Sequence, residues 1–271
     1  MSALTLYIGS KNLSSWSLRP WLFLRHHQIT FRERLIELDR PDTRERILAQ
    51  SPSGRVPALS HDALRICESL AICEYAAERY ELPHAWPADL AARALARSFA
   101  LEMHSGFAAL RRELPFNATR DPAPATMGDD TQADIRRICA IWREAREQHA
   151  EQGPWLFGEF GIVDAMFAPV AVRFEVYDVK LDKLERTYVR TVLAHKAVQQ
   201  WIEAAAMEEP LAAPAEPSEP QARTATPSSP ETGEVPDLPK GPATARASVK
   251  PVAAPAPQEM PRVRSVILPS D

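Results

Sequence analysis

The sequence predicts a small α/β domain over residues 1–82, an all-helical domain over residues 88–208, and a disordered tail over residues 210–271. Three observations predict it. Up to residue 82 short runs of strand-like and helix-like apolar spacing alternate, and beyond residue 88 the period stays helical. All six Trp, nine Phe and five Tyr lie before residue 210. Residues 210–271 instead hold 14 of the 25 prolines, and such a segment cannot bury enough apolar surface to offset its ordering entropy.

The elements follow in order. Leu4 to Ile8 (LTLYI) alternates as a short strand, and the polar run Gly9 to Trp16 reads as a loop. A helix is expected from Ser17 to about His27 on the spacing of Leu18, Trp21, Leu22 and Leu24. Pro20 then falls in its first turn, where the missing N–H would have had no intrahelical partner. Phe31 to Leu38 is a second strand with weak alternation, and Asp42 to Gln50 a short helix stopped by SPSG. Val56 to Leu59 and Leu64 to Ile66 form a hairpin across Ser60 to Ala63, and Ser69 to Tyr80 is helical. A crossover unit followed by a hairpin belongs to α/β architecture. In the second domain, Ala88 to Leu114 reads as one long helix bent near Gly106, and Thr131 to Gln152 as another. Ile162 to Tyr177 follows, kinked at Pro169, and helices over about 184–194 and 196–206 complete the fold.

Charge and composition narrow the function. The net charge is −4, with no basic run interleaved with aromatics, so nucleic acid is not an expected partner. No long apolar stretch suggests a membrane span, and the first residues read as strand rather than leader. Cys67, Cys73 and Cys139 form no paired or metal-binding spacing, which fits a reducing cytoplasm and buried small side chains. No metal is expected.

Three local patterns carry chemistry. The loop Asn12-Leu13-Ser14-Ser15-Trp16-Ser17 sets hydroxyls and N–H groups at a helix N-terminus, which favours an anion such as a thiolate. Alone, it reads rather as a helix cap, with Ser17 or Ser15 in the N-cap position. In Arg55-Val56-Pro57-Ala58-Leu59, a proline leading a strand is a candidate for a cis bond or a sheet edge, and an edge would leave the Val56 backbone free for an extended ligand; alone, it reads as an ordinary strand-leading proline. Glu68-Ser69 opens a helix, offering N–H groups and a hydroxyl to a carboxylate, though by itself it reads as a helix cap and nothing more.

In this combination and order, the residues resemble the N-terminal domain of glutathione transferases, a thioredoxin-like fold. SSWSLRPWLFL is similar to the serine loop of the zeta class, and SPSGRVPAL with CESLAICEYAAERY to the rest of the glutathione site. Gly158 to Ala165 resembles the family's helix capping box, with Asp164 at N3 and Gly161 where Ser or Thr is usual. Trp16 stands where the zeta loop has Cys, which argues against maleylacetoacetate-type isomerisation. The resemblance spans about residues 4–206.

That resemblance implies glutathione as co-substrate, a small hydrophobic electrophile as its partner, and a homodimer. Carried over by position, Ser14, with Ser15 as second choice, would hydrogen-bond the sulfur and favour its thiolate. Val56 and Pro57 would present backbone to the cysteinyl unit, Glu68 and Ser69 would take the γ-glutamyl group, and Arg55 the glycyl carboxylate. His104, Phe107, Ala108 and Arg111 share one face of the expected long helix and would line the electrophile site. The expected activity is conjugation or glutathione-assisted isomerisation in the service of detoxification. The alternative is a non-catalytic binding or stress-response protein of the same fold.

Overall fold

The computed structural model describes residues 4–38 and 40–208, and the predicted tail lies outside them. A four-stranded sheet, in the order β2-β1-β3-β4, forms from Leu4–Ile8 (β1), Phe31–Leu35 (β2), Ala58–His61 (β3) and Leu64–Cys67 (β4). β1 and β2 run parallel, joined through helix α1 (Ser15–His26), and β3 runs antiparallel to β1 and to β4. Helix α2 (Thr43–Leu48) precedes β3, and α3 (Ser69–Arg79) follows β4. This mixed sheet is the thioredoxin-like arrangement the sequence predicts. In β1, Leu4, Leu6 and Ile8 are buried while Thr5 and Tyr7 are not fully covered, the period of two expected of a strand.

Among the described residues six α-helices follow, α4 (Leu90–Ser105), α5 (Ala108–Glu113), α6 (Asp129–His149), α7 (Ile162–Val176), α8 (Lys183–Ala194) and α9 (Lys196–Ala206), with a short 3-10 turn, Ala150–Gln152, after α6. α7 is apolar apart from Asp164, Arg173 and Glu175, and every one of its residues except Glu175 is buried, which makes it the axle of the helical part. It runs unbroken through Pro169 and packs on α1, α4 and α8. α6 buries one stripe, Ile135, Ile138, Cys139, Trp142 and Ala145, at helical spacing.

Asp164 anchors α7 at its N-terminus. Its carboxylate accepts the Gly161 N–H at 3.0 Å, the Leu156 N–H at 3.0 Å and the Tyr188 hydroxyl at 2.9 Å. The capping box is thus half made by side chain: Gly161 supplies only backbone, and Asp164 does the rest.

Several expectations are corrected. α1 begins at Ser15 rather than Ser17, because Ser14 is its N-cap and accepts the Ser17 N–H at 3.3 Å. Pro20 is therefore the sixth helical residue, beyond the turn whose N–H groups are free. β3 is an interior strand, not an edge, and Val56 precedes its paired stretch. The expected long helix is broken rather than bent: α4 ends at Ser105 and Phe107 adopts φ 62° before α5 begins. A Cβ on Gly106 would sit 2.9 Å from the Glu102 carbonyl oxygen, so the chain needs glycine there to turn out of α4. His104, Phe107, Ala108 and Arg111 consequently share no single helix face. Cys73 and Cys139 are buried as expected, whereas Cys67 is only half-buried and lies 3.3 Å from Ser51 Oγ.

Candidate functional site

A cleft of about 590 Å³ opens where the N-termini of α1 and α3 and the start of β3 converge. Ser14, Arg55, Val56, Pro57 and Glu68 line it, five of the residues singled out from three separate stretches of sequence. Trp16 and His104 line it as well.

Each is held by local structure. The loop after β1 folds back on α1: the Ser10 carbonyl accepts the N–H groups of Leu13 and Ser14, and Ser17 Oγ accepts the Gly9 N–H at 3.1 Å. Ser14 Oγ donates to Ser17 Oγ at 2.7 Å, so the hydroxyl facing the cleft belongs to a buried pair of serines. Val56–Pro57 is a cis peptide bond, and Gly54, at φ 67°, turns the chain ahead of it. Arg55 is exposed at the rim.

Glu68 is the N-cap residue of α3 at φ 74°, a left-handed conformation unusual for a residue with a side chain. Its carboxylate lies 3.2 Å from His104 Nε2. Ser69, the first helical residue, is fully buried, and among the described residues its hydroxyl meets no partner. It lies outside the lining of the cleft but one position from Glu68, at a helix end whose first N–H groups have no intrahelical acceptor.

Ser15 is placed differently from Ser14. It turns inward, where Arg173 Nη2 donates to its Oγ at 3.4 Å, and it does not line the cleft. Of the four residues expected to meet the electrophile, only His104 lines the cleft. Phe107 is in the core and Ala108 is exposed. Arg111 donates to the carbonyls of Met103 at 2.5 Å and Gly106 at 3.1 Å, satisfying acceptors freed where α4 ends.

Sequence reasoning passed over Trp16 except as a departure from the zeta loop. Its ring lies 5.2 Å from that of His104, edge-on, and 4.1 Å from Arg19 Cζ. The available signal was a large aromatic inside a loop of small polar residues.

Two family models match this architecture: "Glutathione S-transferase, N-terminal domain" over residues 13–79 and "Glutathione S-transferase, C-terminal domain" over residues 91–204. The chain belongs to the glutathione S-transferase family. Glutathione S-transferase theta-1 of Mus musculus is 33% identical to this transferase-family chain over 88 residues, which are 32% of this chain and 37% of the mouse protein. The theta-1 protein of Rattus norvegicus is 32% identical over 87 residues, 36% of its length. The match therefore spans little more than a third of either relative.

Solved structures extend the likeness to the whole glutathione S-transferase fold. A glutathione transferase homolog from Burkholderia BGR1, solved with bound glutathione, aligns with a TM-score of 0.58 at 26% identity, covering 75% of this chain and 98% of that one. A theta class glutathione S-transferase from Xanthomonas axonopodis pv. citri, also with glutathione bound, aligns at 0.53 and 25% identity, covering 74% and 98%. Among the described residues no group of His, Cys, Asp and Glu side chains could hold a metal ion, and no helix is long and apolar enough to cross a membrane.

Proposed function

We propose that the chain is a glutathione transferase that activates the glutathione thiol for attack on a small electrophile. One observation carries this reading: Ser14, Arg55, Val56 and Glu68 come from distant stretches of sequence to line one cleft beside two helix N-termini. The cleft suits a tripeptide thiol with two carboxylates. The start of α3 and the unpartnered Ser69 hydroxyl suit the γ-glutamyl carboxylate. Glu68 suits the γ-glutamyl ammonium. The Val56 backbone and Pro57 would meet the cysteinyl unit, and Arg55, free at the rim, the glycyl carboxylate.

Ser14 then faces the sulfur. To donate to a thiolate it redirects the proton it now gives to Ser17, a local rotation about one side-chain bond. Ser15 is the poorer candidate because Arg173 already engages it. The electrophile would enter past Trp16 and His104. A nucleophilic-cysteine mechanism has no support, since the loop of residues 9–17 holds none. Glutathione bound in the Burkholderia and Xanthomonas relatives supports glutathione as the ligand here.

A homodimer in the cytoplasm belongs to the same proposal. Between α3 and α4 lies a second cleft of about 590 Å³, lined by Leu70, Tyr75, Trp86 and Leu101, beside an α4 that leaves Leu90 73% exposed. Sedimentation at micromolar concentration should show a dimer.

Retention on immobilised glutathione followed by turnover of 1-chloro-2,4-dinitrobenzene tests the main reading. Both are expected. Neither retention nor turnover with a panel of electrophiles would sink it, and retention without turnover would leave a binding protein.

A further inference from the structure

Behind Trp16 and Ser15 lies a cluster of three guanidinium groups that glutathione binding does not use. Arg19, one turn after Ser15 on α1, is fully buried; Arg173, on α7, is 3% exposed; and Arg111, on α5, is half-buried. The Trp16 ring lies 4.1 Å from Arg19 Cζ and 4.7 Å from Arg111 Cζ, and Arg173 reaches Ser15 Oγ at 3.4 Å. Trp16 and Ser14 both line the cleft, so the cluster sits one side chain behind it.

Its charges are not paired. The protein acceptors of these arginines are backbone carbonyls and one hydroxyl, and none of the three forms a salt bridge among the described residues. Arg19 Nη1 and Nη2 and Arg111 Nη1 are buried without an acceptor among the described residues.

The neighbouring titratable groups do little to balance them. Asp134, on α6, faces Arg111 while accepting the Leu110 N–H at 3.0 Å. Cys73, on α3, faces Arg19, and burial raises its thiol far above the ordinary range, so it stays neutral. Tyr177 faces Arg173 and donates its hydroxyl to the Pro115 carbonyl at 2.9 Å. Glu68 and His104 face each other in the cleft itself. Burial lowers all three guanidinium pKa values, and repulsion from the neighbouring arginines lowers those of Arg19 and Arg173 further; Arg173, at about 9, stays charged near neutrality.

Unpaired buried charge is expensive, and an apolar side chain would pack these helices at lower cost. We infer that the cluster acts at a distance on glutathione: the positive charge of Arg111 and Arg173, packed beside the buried Arg19 and felt across Trp16, holds the sulfur beside Ser14 as a thiolate. The three arginines touch no substrate and serve as positioning and field residues. In a protein medium of effective dielectric about 20, one charge about 10 Å away moves a thiol's pKa by roughly one unit. Removing one arginine should therefore cost about tenfold in thiolate at a pH below the midpoint.

The inference rests on glutathione occupying the cleft, and the experiment separates the two. Ultraviolet absorbance of the thiolate is titrated against pH for glutathione bound to the wild-type chain, Arg111→Met, Arg111→Lys and Arg173→Met. The pH profile of kcat/KM with a neutral electrophile and a melting curve accompany each. The wild-type midpoint should fall below that of free glutathione, rise by about one unit in either Met variant, and return in Arg111→Lys. Should Arg173→Met fail to fold, the half-buried Arg111 pair carries the test. Equal midpoints in all folded variants, whatever their melting temperatures, would reduce the cluster to packing. A wild-type midpoint equal to that of free glutathione would overturn the inference alone, and absence of glutathione binding would overturn it together with the function.

Discussion

The Glu208 carboxylate accepts the Lys11 backbone N–H at 2.7 Å, tying the end of the described chain to the loop that carries Ser14. The same carboxylate takes the Ser10 hydroxyl at 2.6 Å and the Asn12 N–H at 3.2 Å, while Trp201 Nε1 donates to the Lys11 carbonyl at 2.8 Å. A charged acceptor serving three donors in a half-buried setting stabilises by roughly 2 kcal/mol in all. Glu208→Ala, or removal of everything after residue 207, should therefore lower the melting temperature by several degrees and raise the KM for glutathione. Removal after residue 210 keeps the clamp and should leave both nearly unchanged. Equal losses from the two truncations would show that the stabilisation comes from the distal residues instead.

Ser14 has two tasks, and a single substitution separates them. As N-cap it contributes about 1 kcal/mol to α1; as hydroxyl donor it would supply a transition-state interaction. Ser14→Ala should lower kcat for conjugation by about a hundredfold, in the range of a lost oxyanion donor, while glutathione still binds. Ser15→Ala should affect turnover less. Wild-type kcat in Ser14→Ala beside a collapse in Ser15→Ala would reverse the assignment.

How much of this was legible in the sequence depended on range. The Ser14 loop, Val56-Pro57 and Glu68-Ser69 could be read because each is a local signal at a helix or strand start. Their convergence came only through the family resemblance, since no periodicity brings residues 14, 55 and 68 together. The break between α4 and α5 was half-legible. Gly106 marked it, but the left-handed turn at Phe107 is fixed by burial of that ring and by Arg111 reaching back to the α4 carbonyls. The arginine cluster was not legible at all, because Arg19, Arg111 and Arg173 stand on three helices and meet only through packing.

Asp164 should be the most destabilising single position in the helical part. Removing its carboxylate leaves the buried N–H groups of Leu156 and Gly161 and the Tyr188 hydroxyl without an acceptor. At about 1–3 kcal/mol for each buried donor, Asp164→Ala should cost roughly 4 kcal/mol, measured by urea denaturation. A loss below about 1 kcal/mol would mean that water reaches these donors.

The dependence of stability on pH should have two arms, set by opposing groups. His195 Nδ1 accepts the Ala197 N–H at 3.1 Å as the N-cap of α9, so the proton of the neutral ring lies on Nε2, which donates to His26 Nδ1 at 2.9 Å. Burial lowers the pKa of His26 to about 4 and lowers those of His27 and His195. A depressed histidine contributes stability above its unfolded value, about 6.5, and loses it as pH falls toward the folded value. Asp164 opposes this. Burial raises its pKa to about 6, so the native state takes up a proton before the unfolded chain does and gains stability as pH falls from about 6 to about 4. Between pH 7 and 6 the three histidines outweigh the first part of the Asp164 uptake, and stability should fall; below 6 the Asp164 proton offsets more of the loss and the curve should flatten. His195→Asn keeps an N-capping acceptor but removes the stacked imidazole pair. In melting curves from pH 7.5 to 5 it should flatten the first arm and leave the second. An unchanged slope between pH 7 and 6 in that variant would place the acid response elsewhere than at the His26–His195 contact.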